Sequence, residues 1–171
     1  MLFRSGSSTD SAHLAAQMGL PYAFAAHFAP AQFRAAIDIY RRNFRPSDQL
    51  QQPYTMACVN VVAADTDEEA EFLASSLYRM FLGLILNQRG PLQPPGPLPE
   101  AYQVPEVYNA VHSMTACTFT GSPESLGKEL SVFIAETGID ELMITSPVYE
   151  PRARLHSFSL VREALHSSVK P

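Results

Sequence analysis

At 171 residues, 46% hydrophobic and 17% charged, the chain is long enough to bury a core of ordinary domain size. A formal charge of -5, with only 12 Lys plus Arg spread along the chain, argues against nucleic acid as a partner. Cys58 and Cys117 are too few for a disulfide framework or a structural zinc site, and the longest apolar run, Met80 to Leu86, is far too short to span a bilayer. With no secretory peptide recognisable, the expectation is a cytoplasmic protein without membrane or metal, in which Cys58 is reduced and buried.

The run Gly6-Ser7-Ser8-Thr9-Asp10-Ser11 leads into Ala12 to Met18 and closes on Gly19, which predicts a hydroxyl-rich turn, a short helix and a glycine stop. A helix N-terminus offers unpaired N–H groups and the positive end of a dipole, so small hydroxyls there suit a phosphate dianion. The same residue types are ordinary helix caps, and on residue type alone capping accounts for them. A strand follows over Tyr22 to Ala26, with His27 at its C-terminal end. Two readings of His27 stand: a polar pocket residue, or an imidazole satisfied by backbone at a strand end.

Phe33, Ala36, Ile37 and Tyr40 then repeat at helical spacing, with Arg34, Asp38, Arg41 and Arg42 outside that stripe, and the helix ends near Phe44. Tyr54 to Ala64 is a continuous, mostly apolar run, as a strand covered on both faces requires. Asp65-Thr66-Asp67-Glu68-Glu69 opens a long helix whose apolar side carries Leu73, Leu77, Met80, Phe81, Leu84 and Ile85, and the acid run reads as a solvated first turn. From Gly90 to Pro105 the chain is dense in Pro and Gly and reads as an insertion, either closing over a ligand or disordered. Val107 to Val111 suggests a short helix. Ser122, Pro123 and Glu124 start another by ordinary capping, running to Thr137 with Gly138 as its stop. A last strand over Glu141 to Thr145 and a helix from Pro151 to His166 complete the pattern. Strands and helices alternating without a hairpin signal imply parallel βαβ architecture. His13, His112, His156 and His166 have no metal-ligand spacing among themselves.

The order and spacing of Gly6-Ser7-Ser8, Ala15-Ala16-Gln17, Gly19-Leu20-Pro21, Tyr22-Ala23-Phe24-Ala25 and His27-Phe28-Ala29-Pro30 resemble the bacterial-luciferase-like flavin monooxygenases. The resemblance continues through Val59 to Thr66, Phe119 to Glu124 and Asp140 to Ser146. It implies the α/β fold of a partial TIM-type (β/α)8 barrel. Such a barrel needs about 250 residues, and this chain supplies only about four βα units. They correspond to the C-terminal half, in one partial domain over residues 1–171 with the insertion at 90–105. Residues 1–5 depart from the apolar strand expected there, Arg4 being a poor interior residue, and read as a junction.

The resemblance also implies an FMN-dependent oxidoreductase that oxygenates a small organic substrate with reduced flavin and O2, the flavin being reduced by NAD(P)H or a partner reductase. By family position Gly6, Ser7, Ser8 and Ser11 would hold the FMN phosphate, and His27 would stand in the active site. The parent would be a homo-oligomer and this half inactive by itself. Two alternatives stand beside it: a truncated, non-catalytic chain or subunit that binds a phosphate or a partner, and a deazaflavin-dependent hydride-transfer relative.

Overall fold

Strand and helix alternate along the computed structural model, which describes residues 3–168 and the side chains of 3–166. In chain order the elements are β1 (Arg4–Gly6), α1 (Thr9–Met18), β2 (Tyr22–Phe24), α2 (Phe33–Asn43), β3 (Thr55–Ala63) and α3 (Asp67–Ile85). After a long connection come α4 (Pro105–Met114), β4 (Thr118–Gly121), α5 (Pro123–Thr137), β5 (Glu141–Thr145) and α6 (Pro151–Ser168).

All strand pairings are parallel: β1 with β2 (Arg4 opposite Tyr22), β2 with β3 (Tyr22 opposite Thr55), and β3 with both β5 (Met56 opposite Glu141) and β4 (Asn60 opposite Thr118). In a parallel strand the N–H and C=O of one residue address one neighbour and those of the next residue address the other. Even-numbered residues of β3 serve β2 and β4: the Cys58 carbonyl accepts from the His27 N–H at 2.7 Å, and the Asn60 N–H donates to the Cys117 carbonyl at 3.1 Å. Odd-numbered residues serve β5, whose approach is marked by the Asp140 N–H on the Thr55 carbonyl at 2.9 Å. The continuous arc is therefore β1-β2-β3-β5, and β4 sits beyond β2 on the same edge of β3.

Period-two alternation sorts the strand side chains between two faces. Tyr22, Phe24, Ala57, Val59, Val61, Ala63, Leu142 and Ile144 join one apolar cluster with residues of α1, α2, α5 and α6, so this face carries the helix layer. Tyr22 and Phe24 are fully buried there, each worth roughly 1.5–3 kcal/mol. Ala23, Met56, Cys58, Asn60 and Val62 alternate to the opposite face. At its C-terminal end that face meets α3, where Val62 packs with Leu73, Ala74 and Tyr78. This is the α/β arrangement of a partial barrel, one arc of parallel strands with helices outside it.

Polar contacts tie down the N-terminal edge of the arc. The Asp140 carboxylate accepts from the Thr55 N–H at 2.7 Å and its hydroxyl at 2.8 Å, while Arg41 donates to Thr137 O at 2.9 Å and also to the Gly138 carbonyl. A cation is thus placed on the negative end of α5. Gly19 and Gly138 end α1 and α5 at φ 60°, a conformation that costs other residues a Cβ clash.

Several boundaries differ from the sequence expectation. Arg4 and Ser5 form part of β1, with Arg4 opposite Tyr22 and hence on the helix side, leaving Ser5 on the inner face; Met1 and Leu2 lie outside the described residues. Cys58, on the inner face, is half-buried instead of buried. The helix read over Val107 to Val111 extends over Pro105–Met114, and β4 was not anticipated. The Pro/Gly-rich connection is one part of a larger excursion, α3 through β4, set between β3 and its crossover helix α5. It is fastened to α3: the Gly96 N–H donates to Ser75 Oγ at 3.0 Å and Arg79 to the Pro94 carbonyl at 3.1 Å.

Candidate functional site

Because the strands of the arc are parallel, the residues after Gly6, Phe24, Ala63 and Thr145 emerge on one side of the sheet, the side on which barrels of this kind place their chemistry. Two of those exits carry the residues singled out from the sequence.

The first is the turn from β1 into α1. Ser8 is the N-cap, extended at φ -140° and ψ 162°, and its Oγ accepts from the Ser11 N–H at 3.3 Å. Ser11 Oγ returns the contact on the Ser8 N–H at 3.4 Å, closing a capping box. Ser11 Oγ also donates to the Ser8 carbonyl at 2.6 Å and lies 2.9 Å from the hydroxyl of Tyr22, which itself reaches the Ser8 carbonyl at 3.2 Å. Each hydroxyl has one proton. Whichever way the two protons of Ser11 and Tyr22 are shared, both are spent inside the turn. Burial pushes the Tyr22 phenol up, its hydrogen bond to Ser11 acting the other way, so it stays a donor.

The protons that remain point to a donor set. Among the described residues the Ser7 hydroxyl, the Ser8 hydroxyl proton and the N–H groups of Thr9 and Asp10 have no hydrogen-bond acceptor. Asp10 is exposed and makes no hydrogen bond in the turn. Gly6 is required by Ser11, since a Cβ there would fall 2.1 Å from Ser11 Oγ.

The second exit holds His27, in the turn after β2. Its N–H is bound to Cys58 O, and its carbonyl accepts from Asn60 Nδ2 at 3.2 Å. Asn60, 4% exposed, also reaches Thr118 Oγ1 at 3.4 Å and so joins the His27 turn to β4. His27 Nδ1 is buried with no hydrogen-bond partner among the described residues. Just beyond, the turn Pro30–Gln32 touches α4, so the excursion reaches over this exit.

A profile of the luciferase-like monooxygenases matches residues 2–141, most of the chain. This chain belongs to that family. It is 39% identical over 158 residues to a luciferase-like monooxygenase of Escherichia coli (strain K12), covering 92% of this chain and 47% of that protein. Apo-MsnO8, a solved structure 30% identical to it, superposes with a TM-score of 0.79 over 95% of this chain and 49% of that one. The oxygenating constituent of 3,6-diketocamphane monooxygenase from a Pseudomonas putida plasmid, solved with FMN, shares the fold at 14% identity and a TM-score of 0.61, over 97% of this chain and 48% of that one. So does an F420-dependent secondary alcohol dehydrogenase, at 14% identity and 0.55, over 94% and 47%. The luciferase-like chain described here spans about half the length of the curated relatives it matches.

Two of the other histidines make contacts of their own, one on the surface and one in a packed cluster. His156 Nε2 lies 2.9 Å from Asp65 on the surface, and among the described residues no group of His, Cys, Asp and Glu could hold a metal. His112 stacks in an aromatic cluster of the excursion, its ring 4.0 Å from that of Tyr108 and its Nε2 3.1 Å from the Tyr102 hydroxyl. Tyr78, between that cluster and Val62, has its phenol pushed up to about 12, first by burial and then by the carboxylate of Glu71. No described helix is long and apolar enough to cross a membrane.

Two residues of the site, and a third at the start of α5, have roles that residue type alone does not show. Its sequence context places Tyr22 in a strand, and the need of a buried tyrosine hydroxyl for a partner is the signal of its further role. Asn60 is a polar residue in an apolar strand and carried a similar hint. The acid run is exposed as expected, and the Asp67 carboxylate in addition accepts from the Ser122 N–H at 2.7 Å and the Ser125 hydroxyl at 2.9 Å, capping α5 from outside.

Proposed function

We propose that this chain is the phosphate-holding half of an FMN-dependent monooxygenase that oxygenates a small organic substrate with O2. The observation that carries the reading is the donor set on the first turn of α1: among the described residues the Ser7 and Ser8 hydroxyls and the Thr9 and Asp10 N–H groups have no acceptor, at the sheet face where His27 emerges. These donors fit a phosphate dianion, and Asp10 is exposed where its carboxylate is free to turn to solvent. In this reading Ser7, Ser8, Thr9 and Asp10 bind the phosphate, and Gly6 and Ser11 shape the turn. When bound, reduced flavin supplies the oxygen chemistry, with NAD(P)H or a partner reductase supplying the electrons. His27, through its unpartnered Nδ1, holds or moves a proton on the substrate side. Activity requires the remaining barrel strands, and the whole enzyme is a homo-oligomer.

Fluorescence titration with FMN and with riboflavin tests the phosphate site. Each hydrogen bond to a charged group is worth about 1.5–3 kcal/mol, so FMN binds at least about tenfold more tightly than riboflavin. Equal binding of the two removes phosphate from the site, and preference for a deazaflavin makes the chain a hydride-transfer relative. Phosphate binding without any flavin leaves a non-catalytic subunit.

His27→Asn, in a protein carrying all the barrel strands, tests the second exit. The variant is expected to retain FMN and lose coupled oxygenation by ~100-fold, releasing hydrogen peroxide. Normal coupling with a lowered Tm would assign His27 to structure.

A further inference from the structure

We infer that Tyr22 is a positioning residue for the anion site: from beneath the turn it holds the Ser8 carbonyl and thereby aims the Thr9 N–H outward. The inference rests on the reading that α1 binds phosphate, and it concerns a residue which that reading does not itself need.

Tyr22 is fully buried, with its ring 5.3 Å from that of Tyr40 and 6.2 Å from that of Phe24, so its hydroxyl is delivered to the turn by a packed body with little freedom. That hydroxyl lies 3.2 Å from the Ser8 carbonyl and 2.9 Å from Ser11 Oγ, which is 2.6 Å from the same carbonyl. A peptide unit is planar and trans, so its C=O and N–H point in opposite directions. With the Ser8 oxygen held inward on Tyr22 and Ser11, the N–H of Thr9 in the same peptide unit is turned away from both. There it stands with the Asp10 N–H as a donor lacking an acceptor. Tyr22 thus reaches a phosphate only through the backbone. The arrangement pre-organises the site: the ordering of the turn is achieved by folding, before an anion arrives.

Tyr22→Phe removes the hydroxyl and keeps the ring. Tyr40→Phe is the matched control, because its hydroxyl is equally buried but serves the Leu20 carbonyl at 2.9 Å and the Tyr54 N–H at 3.1 Å, away from the turn. The full chain is titrated with inorganic phosphate, following the amide signals of Thr9 and Asp10 by NMR, with thermal melts of the same samples. Tyr22→Phe is expected to weaken phosphate binding on the order of fivefold, the value of one hydrogen bond, while Tyr40→Phe lowers Tm without changing that affinity. Unchanged affinity in Tyr22→Phe, or equal weakening in both variants, overturns the role of Tyr22 and leaves the phosphate site standing. No response of the Thr9 and Asp10 amides in the unmodified chain overturns both. Should Tyr22→Phe not fold, the unmodified chain still decides: phosphate is expected to move the Thr9 and Asp10 amides and leave the Tyr22 ring signals in place. Movement of the Tyr22 ring would mean that the Ser11 hydroxyl turns toward the anion, and would overturn the inference.

Discussion

The starts of α1 and α5 are built on the same plan and differ in what stands against them. Each opens on a Ser-x-x-Ser run, Ser8 to Ser11 and Ser122 to Ser125, with the first serine as N-cap accepting from the N–H of the second. At α5 the position for an anion is filled from within by the Asp67 carboxylate, which takes the Ser122 N–H and the Ser125 hydroxyl. Pro123 at the first helical position removes one donor more. At α1 no carboxylate bonds to the turn among the described residues, Thr9 stands where α5 has proline, and two N–H groups lack acceptors. A run of residue types therefore does not decide how a helix start is satisfied; the fold can supply an anion of its own, as at α5, or leave donors without acceptors among the described residues, as at α1.

The contrast breaks most severely at Gly6. In Gly6→Ala the new Cβ occupies the place of the Ser11 side chain, with 2.3 Å to its Cβ, so the turn must open. Overpacking of this kind costs about 1–3 kcal/mol, and the variant is expected to melt earlier and lose its response to phosphate. Urea unfolding and the phosphate titration on one preparation read both.

A finer cut compares serines. Ser8→Ala with Ser11→Ala is expected to weaken FMN binding by about tenfold or more, since a direct donor and the inward lock on the Ser8 carbonyl disappear together. Ser122→Ala removes the corresponding cap of α5, costs about 1 kcal/mol of stability, and leaves FMN affinity where it was. Flavin fluorescence and chemical denaturation separate the two, and equal loss of affinity in both would erase the distinction between the helix starts.

Asp67 gives the smallest effect and a pH signature. Its carboxyl is held below the ordinary 3.8, first by the Ser122 N–H and then by the Ser122 and Ser125 hydroxyls. A carboxylate whose folded value is depressed contributes stability that is complete above its unfolded value and lost as pH falls through the folded one. Asp67→Asn is accordingly expected to melt below the unmodified chain at pH 7, with the gap closing below about pH 4. A gap that persists in acid would mean that the contact at α5 is not electrostatic.

Local signals carried much of the architecture. The stripe Phe33, Ala36, Ile37 and Tyr40 is the buried side of α2, the apolar run from Tyr54 became the central strand, and Ser122-Pro123 starts α5. Those features depend on neighbours in sequence, through periodicity and capping. β4 escaped because four residues flanked by turns hold a strand only when β3 offers an unused length of edge past β2. Cys58 and Asn60 share one face of β3, yet Cys58 is half-exposed while Asn60 is buried against the His27 turn and Thr118, a difference set by elements far away in the chain.

By itself the sequence determined the helices, the strands β2, β3 and β5, their parallel sense, and the hydroxyl-rich turn at the head of α1, because caps, glycine stops and apolar periods act over a few residues. Only the tertiary structure decided that Asp67 fills the start of α5, that the Tyr22 hydroxyl joins Ser11 and the Ser8 carbonyl within the turn, and that the Thr9 and Asp10 N–H groups lack acceptors among the described residues. Hydrogen-bond donors are available or consumed according to what folding brings within about 3 Å, and that distance is set by packing between elements remote in sequence.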